Sequence, residues 1–328
     1  MRALIGHTGF VGSNILEQSS FDKCYNSKNI ESIAGEKFDT VVCAGVSSVK
    51  WKANKDPKED FKQIQRLIEY LGKAEFKKLI LISTIAVYDN PANSSYGSHR
   101  LYLETYLKNI YEDIYITRLP SLFGKGLKKN VIYDLMNKDY RFLPGPWSFL
   151  QYYCLDNIWS DIKKQVDLGI KVLNLSTEPT PFDKVLSLFE IEEELRRPGK
   201  TVQEKMTSEH ARHWGKKGRY LYTQAEILTD LYTMNDYYQY YLTLHTNPKN
   251  RLLHFVGLWM TIIYVPAVIV SGNSYLLLLA PFIVYPFAWT GHRVFEKNKP
   301  AAFDAPIKAK VADWMMFRDI LLGRLRIW

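Results

Sequence analysis

Arg2-Ala3-Leu4-Ile5-Gly6-His7-Thr8-Gly9-Phe10-Val11-Gly12-Ser13-Asn14-Ile15-Leu16 decides how the first half of the chain folds. A short β-type run leads without a break into a turn with glycine at every third position, and an apolar helix-like run follows. Strand, glycine turn and helix in that order form the phosphate-binding unit of a dinucleotide fold. Gly6 permits the tight turn, Gly9 lets the backbone approach a pyrophosphate, and Gly12 lets helix and strand pack closely. Phosphate would rest on amides at the helix N-terminus, so Gly6, Thr8, Gly9, Phe10, Val11 and Gly12 are candidate cofactor contacts.

Working outward, Phe38-Asp39-Thr40-Val41-Val42-Cys43 is a second apolar run, ending at the small-residue turn Ala44-Gly45, also a candidate contact. Lys78 to Thr84 is apolar enough to be buried on both faces of a parallel sheet. Between them Phe61, Ile64, Leu67, Ile68 and Leu71 repeat at helical spacing. Further strands are expected at Tyr115–Pro120 and Val172–Leu175. Strands alternating with helices predict an α/β, doubly wound parallel sheet over residues 1–190. A strand should also end near Tyr25-Asn26-Ser27-Lys28, where no acidic residue awaits a ribose hydroxyl. Ser27 and Lys28 could meet a 2′-phosphate instead, so NAD(P) is the expected cofactor, with NADP favoured.

Other pieces in register carry a resemblance. Gly6-x2-Gly9-x2-Gly12, Ser83-Thr84-x3-Tyr88, Tyr96-x3-Arg100 and Arg118-Leu119-Pro120-x2-Phe123-Gly124 resemble the extended short-chain dehydrogenase/reductase family, the NAD(P)-dependent epimerases and dehydratases of nucleotide sugars. The resemblance implies Thr84 as the catalytic Ser/Thr, Tyr96 as the acid/base, and a nucleotide-sugar substrate. Arg100 stands where that family uses Lys; its planar fork is larger and it does not shuttle protons.

The chain has 328 residues and a net charge of +9. Its basic residues form no organised patch, and neither an RNA-binding aromatic signature nor zinc-finger spacing is present, so nucleic acid is not an expected partner. Cys24, Cys43 and Cys154 are widely spaced, which predicts a reducing compartment without disulfides. Met1 to Gly6 reads as a strand, not as a signal peptide. Residues 191–224, rich in charge and carrying Arg197-Pro198-Gly199, read as a linker with some helix. His210 and His213 within it read as a solvated face.

Residues 225–328 are of another kind. Ile227, Leu231, Met234, Tyr238 and Tyr241 fall on one helix face that leads to His245. Phe255 to Trp289 contains no Asp, Glu, Lys or Arg, and Gly272-Asn273-Ser274 marks a turn near its middle. Such a stretch is too long for one span and suits a two-helix hairpin over about 255–290 in the bilayer. Arg251, Arg293, Lys297 and Lys299 flank it and the central turn is uncharged. Both ends, the N-terminal domain and the C-terminus are therefore expected on the cytoplasmic side. The hairpin would return His292 to the face where His254 lies, with Pro248 breaking the chain so that His245 folds back. Asn250 and His254, like His292 and Glu296, are four apart and share a helix face. His245, His254, His292 and Glu296 are thus candidate metal ligands. Imidazoles with one carboxylate and open positions suit Fe(II) that activates dioxygen, and zinc would accept similar ligands. Arg251 and Arg293 sit where arginines ordinarily snorkel to phosphates. Trp314, Phe317, Leu321, Leu325 and Trp328 align as the apolar face of an interfacial helix.

His245-x2-Pro248-x-Asn250-Arg251-x2-His254-x2-Gly257, Gly291-His292-x2-Phe295-Glu296-x3-Pro300-Ala301 and the closing Ala312-Asp313-Trp314 to Gly323-Arg324-Leu325 look like the Mpo-like family of small membrane proteins. That resemblance implies an iron(II)-dependent dioxygenase that shortens 2-hydroxy fatty acids by one carbon, with the three histidines as iron ligands; Arg251 or Arg293 could then attract the substrate carboxylate. The expected whole is a membrane-anchored two-domain oxidoreductase with a hydroxylated acyl substrate. Its rivals are a nucleotide-sugar epimerase or reductase on an inert anchor, and a scaffold without turnover.

Overall fold

The computed structural model describes all residues except 89–93, 138, 190, 192–198, 236, 304–305 and 328. The chain forms two compact units, Met1–Leu231 and Tyr232–Trp328.

The first unit is built on strands β1 (Arg2–Ile5), β2 (Lys23–Tyr25), β3 (Lys37–Cys43), β4 (Glu75–Thr84) and β5 (Ile114–Leu119). The short strands β6 (Ser121–Phe123), β7 (Phe149–Leu150), β8 (Tyr152–Cys154) and β10 (Thr180–Pro181) pair outside the main sheet, which β9 (Val172–Asn174) completes. Strand order is β2-β1-β3-β4-β5-β9, all parallel. This is the expected doubly wound sheet.

Period-2 alternation explains why both faces are buried. Ala3, Ile5, Val41, Cys43, Leu79 and Leu81 point to one side, and Leu4, Val42, Ile80 and Ile82 to the other. Helix α1 (Phe10–Gln18) and, later in the chain, α6 (Ile158–Asp167) cover the second side through Ile15, Ile158 and Ile162. The first side is covered by α3 (Pro57–Gly72) and α4 (Ser95–Ile110) through Ile64, Leu67, Leu71, Leu103 and Leu107. Shorter helices α2 (Lys50–Lys55), α5 (Val131–Met136) and α7 (Phe182–Leu188) fill the connections, and α8 (Gln224–Asn235) begins in this unit and carries the chain past Leu231. Pro57 at the first helical position, with the Asp56 carboxylate accepting from the Glu59 amide, starts α3 where the apolar spacing begins.

The expected linker over 191–224 is corrected by the described part of that segment. Phe149 donates to the Val202 carbonyl at 2.9 Å and Leu221 to that of Ser176 at 2.8 Å. Trp214 Nε1 and the Tyr222 hydroxyl donate to the buried Asp161 carboxylate, each at 2.7 Å. These contacts make residues 199–224 part of the first unit. Arg196, Arg197 and Pro198 lie outside the described residues.

The second unit is helical: α9 (Tyr237–Thr243), α10 (Pro248–Ser271), α11 (Tyr285–Gly291) and α12 (Pro306–Leu321). Pro248 occupies the first position of α10, where its missing N–H costs nothing, and the Asn247 side chain caps the Lys249 amide. Gly272 ends α10 in the left-handed conformation, φ 73°. The returning arm departs from the expected helix. Ser274–Phe282 is a tighter 3₁₀ stretch, and α11 passes into a π-turn over His292–Glu296. Pro281 removes an amide donor in mid-arm, which breaks the regular ladder. In α12 the buried stripe is Ala309, Ala312, Asp313, Met316 and Phe317. Of the expected apolar face, Phe317 lies on it, stacked on Phe255 at 4.9 Å, and Leu325, beyond the helix, packs against the cluster that holds Ala309, Ala312 and Met316; Trp314 and Leu321 are exposed and Trp328 lies outside the described residues.

Candidate metal centre and nucleotide site

Three imidazoles meet in the second unit. His245 follows α9, His254 lies in the second turn of α10, and His292 opens the π-turn after α11. Their ring centroids are 4.6, 4.6 and 5.4 Å apart, and one ligand atom from each lies within 4.8 Å of the others. All three are buried.

What lies behind each ring settles which nitrogen faces the centre. His245 Nδ1 is 2.6 Å from the Tyr241 carbonyl, and His254 Nδ1 is 2.8 Å from Asp313 Oδ1. His292 Nδ1 is 2.6 Å from Asn298 Oδ1. The Asn298 amide is itself oriented, because its Nδ2 donates to the Leu244 carbonyl at 2.9 Å. Each partner can accept from Nδ1, which leaves Nε2 of each ring as the nitrogen free to face the centre. His245 Nε2 and His254 Nε2 are buried with no hydrogen-bond partner. Burial, and next the neighbouring His254, hold His245 neutral with its pKa pushed down to about 2. Neutral imidazoles with unclaimed lone pairs are what a metal ion requires.

Glu296 is not brought into this cluster. Its carboxylate accepts from the Asn247 amide at 2.7 Å, the Thr246 hydroxyl at 3.0 Å and Asn250 Nδ2 at 3.3 Å, so it secures the chain entering α10. Arg251 is likewise occupied, donating to the carbonyls of His245, Thr246 and Arg326 at 2.7, 3.1 and 3.0 Å. Arg293 is exposed. Sequence reasoning gave no role to Tyr241, Asn298 or Asp313. Asp313 had a signal: it is an acidic residue on the apolar stripe of α12, and the Tyr241 hydroxyl reaches it at 3.1 Å.

In the first unit the glycine turn has the shape its sequence requires. Gly6 sits at φ 87°, and its amide donates to the Tyr25 carbonyl at 2.7 Å. A Cβ on Gly12 would stand 2.1 Å from the Gly6 carbonyl oxygen, so α1 can approach the turn only without one. Gly9 is the α1 N-cap and offers no side chain to the first-turn amides of Phe10, Val11 and Gly12. Thr8 is exposed beside them, and Ala44 and Gly45 follow β3 next to the turn, as the Ala44 amide bonded to Ile5 at 2.9 Å shows. Ser27 and Lys28 are exposed beyond the end of β2.

Thr84 closes β4, and its hydroxyl accepts from the Ala86 amide at 3.1 Å. Burial pushes the Tyr96 pKa up, against the pull of Arg100 and Thr84. Arg100 is almost wholly engaged: Nη2 donates to Asp60 Oδ1 at 2.9 Å and to the Ser47 carbonyl at 2.6 Å, and the guanidinium lies 3.9 Å from the Tyr96 ring centre. Asp60, absent from the sequence reading, holds Arg100 in place.

Two solved structures share the fold of the N-terminal 70% or so of the chain. RMD from Pseudomonas aeruginosa complexed with NADPH has a TM-score of 0.51 at 15% identity, over 71% of this chain and 100% of that one. UDP-N-acetylglucosamine 4-epimerase from Methanobrevibacter ruminantium M1 in complex with UDP-N-acetylmuramic acid has a TM-score of 0.50 at 14% identity, over 72% of this chain and 97% of that one. No curated protein matches the sequence. The segment that brings the three histidines together, residues 231–325, matches the family described as 2-hydroxy-palmitic acid dioxygenase Mpo1-like.

Proposed function

We propose that the second unit is a membrane-embedded Fe(II)-dependent dioxygenase of 2-hydroxy fatty acids, joined to a NAD(P)-binding module of epimerase/reductase type. The observation that carries the first half is the pair of bare Nε2 atoms of His245 and His254, buried and convergent with His292. A buried polar atom left unpaired costs about 1–3 kcal/mol, so the arrangement suits an ion that takes up those lone pairs. His245, His254 and His292 would hold Fe(II), which supplies Lewis acidity and dioxygen activation. The net reaction balances as R–CHOH–COOH + O2 → R–COOH + CO2 + H2O, with cleavage of C1–C2. Asp313, Asn298 and the Tyr241 carbonyl keep Nδ1 protonated, and Arg251 ties the His245 loop to the start of α10.

Exposure supports the bilayer. Pro248–Ser271 and Ser274–Glu296 are long and apolar enough to cross a membrane, yet their most apolar windows are only 28% and 17% buried. A core helix of a soluble protein would be mostly buried; here Ile263, Val270 and Leu278 face outward. Basic residues at both borders of the hairpin favour a cytoplasmic location for those borders.

Anaerobic purification of the whole protein tests the reading. Stoichiometric iron, lost in His254→Ala, is expected, together with conversion of 2-hydroxypalmitic acid to the acid one carbon shorter. A wild-type protein that takes up no iron removes the proposal.

For the first unit, the Gly6–Gly12 geometry supports NAD(P) binding, and Thr84, Tyr96 and Arg100 would serve a nucleotide-sugar substrate. Gly9→Val is expected to abolish NADPH binding measured by fluorescence titration, and intact binding would refute the assignment of that loop.

A further inference from the structure

Beside the histidines lies a narrow cleft that opens to the surface. His254 and His292 form its inner end, and Tyr285, Trp289 and Ala309 line its walls. One cation lines it, Lys310, one turn before Asp313 on α12. Lys310 is half-buried; its ammonium donates to the Pro281 carbonyl at 3.4 Å, a long contact, lies 5.8 Å from the Tyr285 ring centre, and has no ion pair among the described residues. The only carboxylate among the lining residues, Asp313, is occupied by His254 and the Tyr241 hydroxyl. The two arginines expected to attract an acid do not line the cavity. A partly desolvated ammonium on an apolar wall is unfavourable until an anion joins it.

We propose that Lys310 receives the substrate carboxylate in this cavity, so that the centre selects free 2-hydroxy acids over their esters and amides. The proposal rests on the dioxygenase reading for the chemistry that follows binding, but not for binding itself. With the carboxylate at Lys310, Tyr285 and Trp289, which line the same cleft, would flank the first methylenes.

The test is equilibrium binding of 2-hydroxypalmitic acid and of its methyl ester to the whole protein in detergent without oxygen, followed by Trp fluorescence. Wild type should prefer the acid by tenfold or more. Lys310→Met should lose that preference by weakening acid binding at least tenfold, with the ester little changed, and Lys310→Arg should restore it. Lys310→Gln substitutes for Lys310→Met should the latter not fold. Equal acid affinity in wild type and Lys310→Met, or in wild type and Lys310→Gln, overturns the proposal. Iron content separates the two readings. A Lys310 variant that keeps its iron but shows unchanged acid binding refutes this proposal alone. An iron-free wild type whose acid binding still depends on Lys310 refutes only the dioxygenase.

Discussion

At the scale of single residues, the proposed metal centre would depend on the groups behind the three histidines. Asp313 fixes the His254 ring from 2.8 Å, so Asp313→Asn is expected to weaken iron binding about 10- to 100-fold in chelator competition. Unchanged affinity would reduce Asp313 to a packing residue. The three histidines could be picked out in the sequence because each borders the uncharged stretch. Asn298 and Tyr241 could not, since the one acts through a side-chain oxygen and the other through its carbonyl, and neither carries a mark that distinguishes it from any other Asn or Tyr. Glu296 shows the opposite error. Helical spacing placed it with His292, but a π-turn and the Asn247 amide direct it to the α10 cap. In the nucleotide loop, Gly12→Ala would drive a Cβ to 2.1 Å from the Gly6 oxygen. A stability loss of about 1–3 kcal/mol in denaturant titration, with loss of NADPH binding, is the expected outcome.

At the scale of elements, α8 contains a charge that the fold holds at a cost. Burial first, then Asp156 and Glu226, push Asp230 up to about 6 from an ordinary 3.8. The folded form therefore holds its proton more tightly than the unfolded chain, so ionisation above pH 6 opposes folding and that penalty fades as pH falls toward 4. Discounted for partial exposure, Asp230→Asn should stabilise the first unit by about 1 kcal/mol at pH 7.5 and by less at pH 4.5. Thermal melts at the two pH values check this; an equal gain at both would contradict it. The strands and α3 could be read from periodicity because both sheet faces are buried. The interruption of the returning arm is less accessible to periodicity, since an all-apolar run has no polar face to reveal a change from 3.6 to 3.0 residues per turn.

At the scale of the molecule, the histidine cluster needs both borders of the hairpin on one side. Cysteines introduced at Lys249 and Lys297 in a background lacking Cys24, Cys43 and Cys154 should react with an impermeant label from the same side of sealed vesicles. One at Asn273 should react from the other side. Labelling of all three from one side would show that the hairpin lies on the surface rather than across the bilayer.

Sequence alone determined the two kinds of structure in this chain, because local periodicity and glycine placement report burial and turn geometry directly. It also marked the imidazoles, through their position beside an uncharged stretch. Tertiary structure decided what periodicity does not encode. Asp60 closes on Arg100 from 40 residues away, Asp313 on His254 from 59, and residues 199–224 join the first unit through pairings with distant strands and loops. These contacts follow from chain packing in three dimensions, and no spacing along the chain announces them.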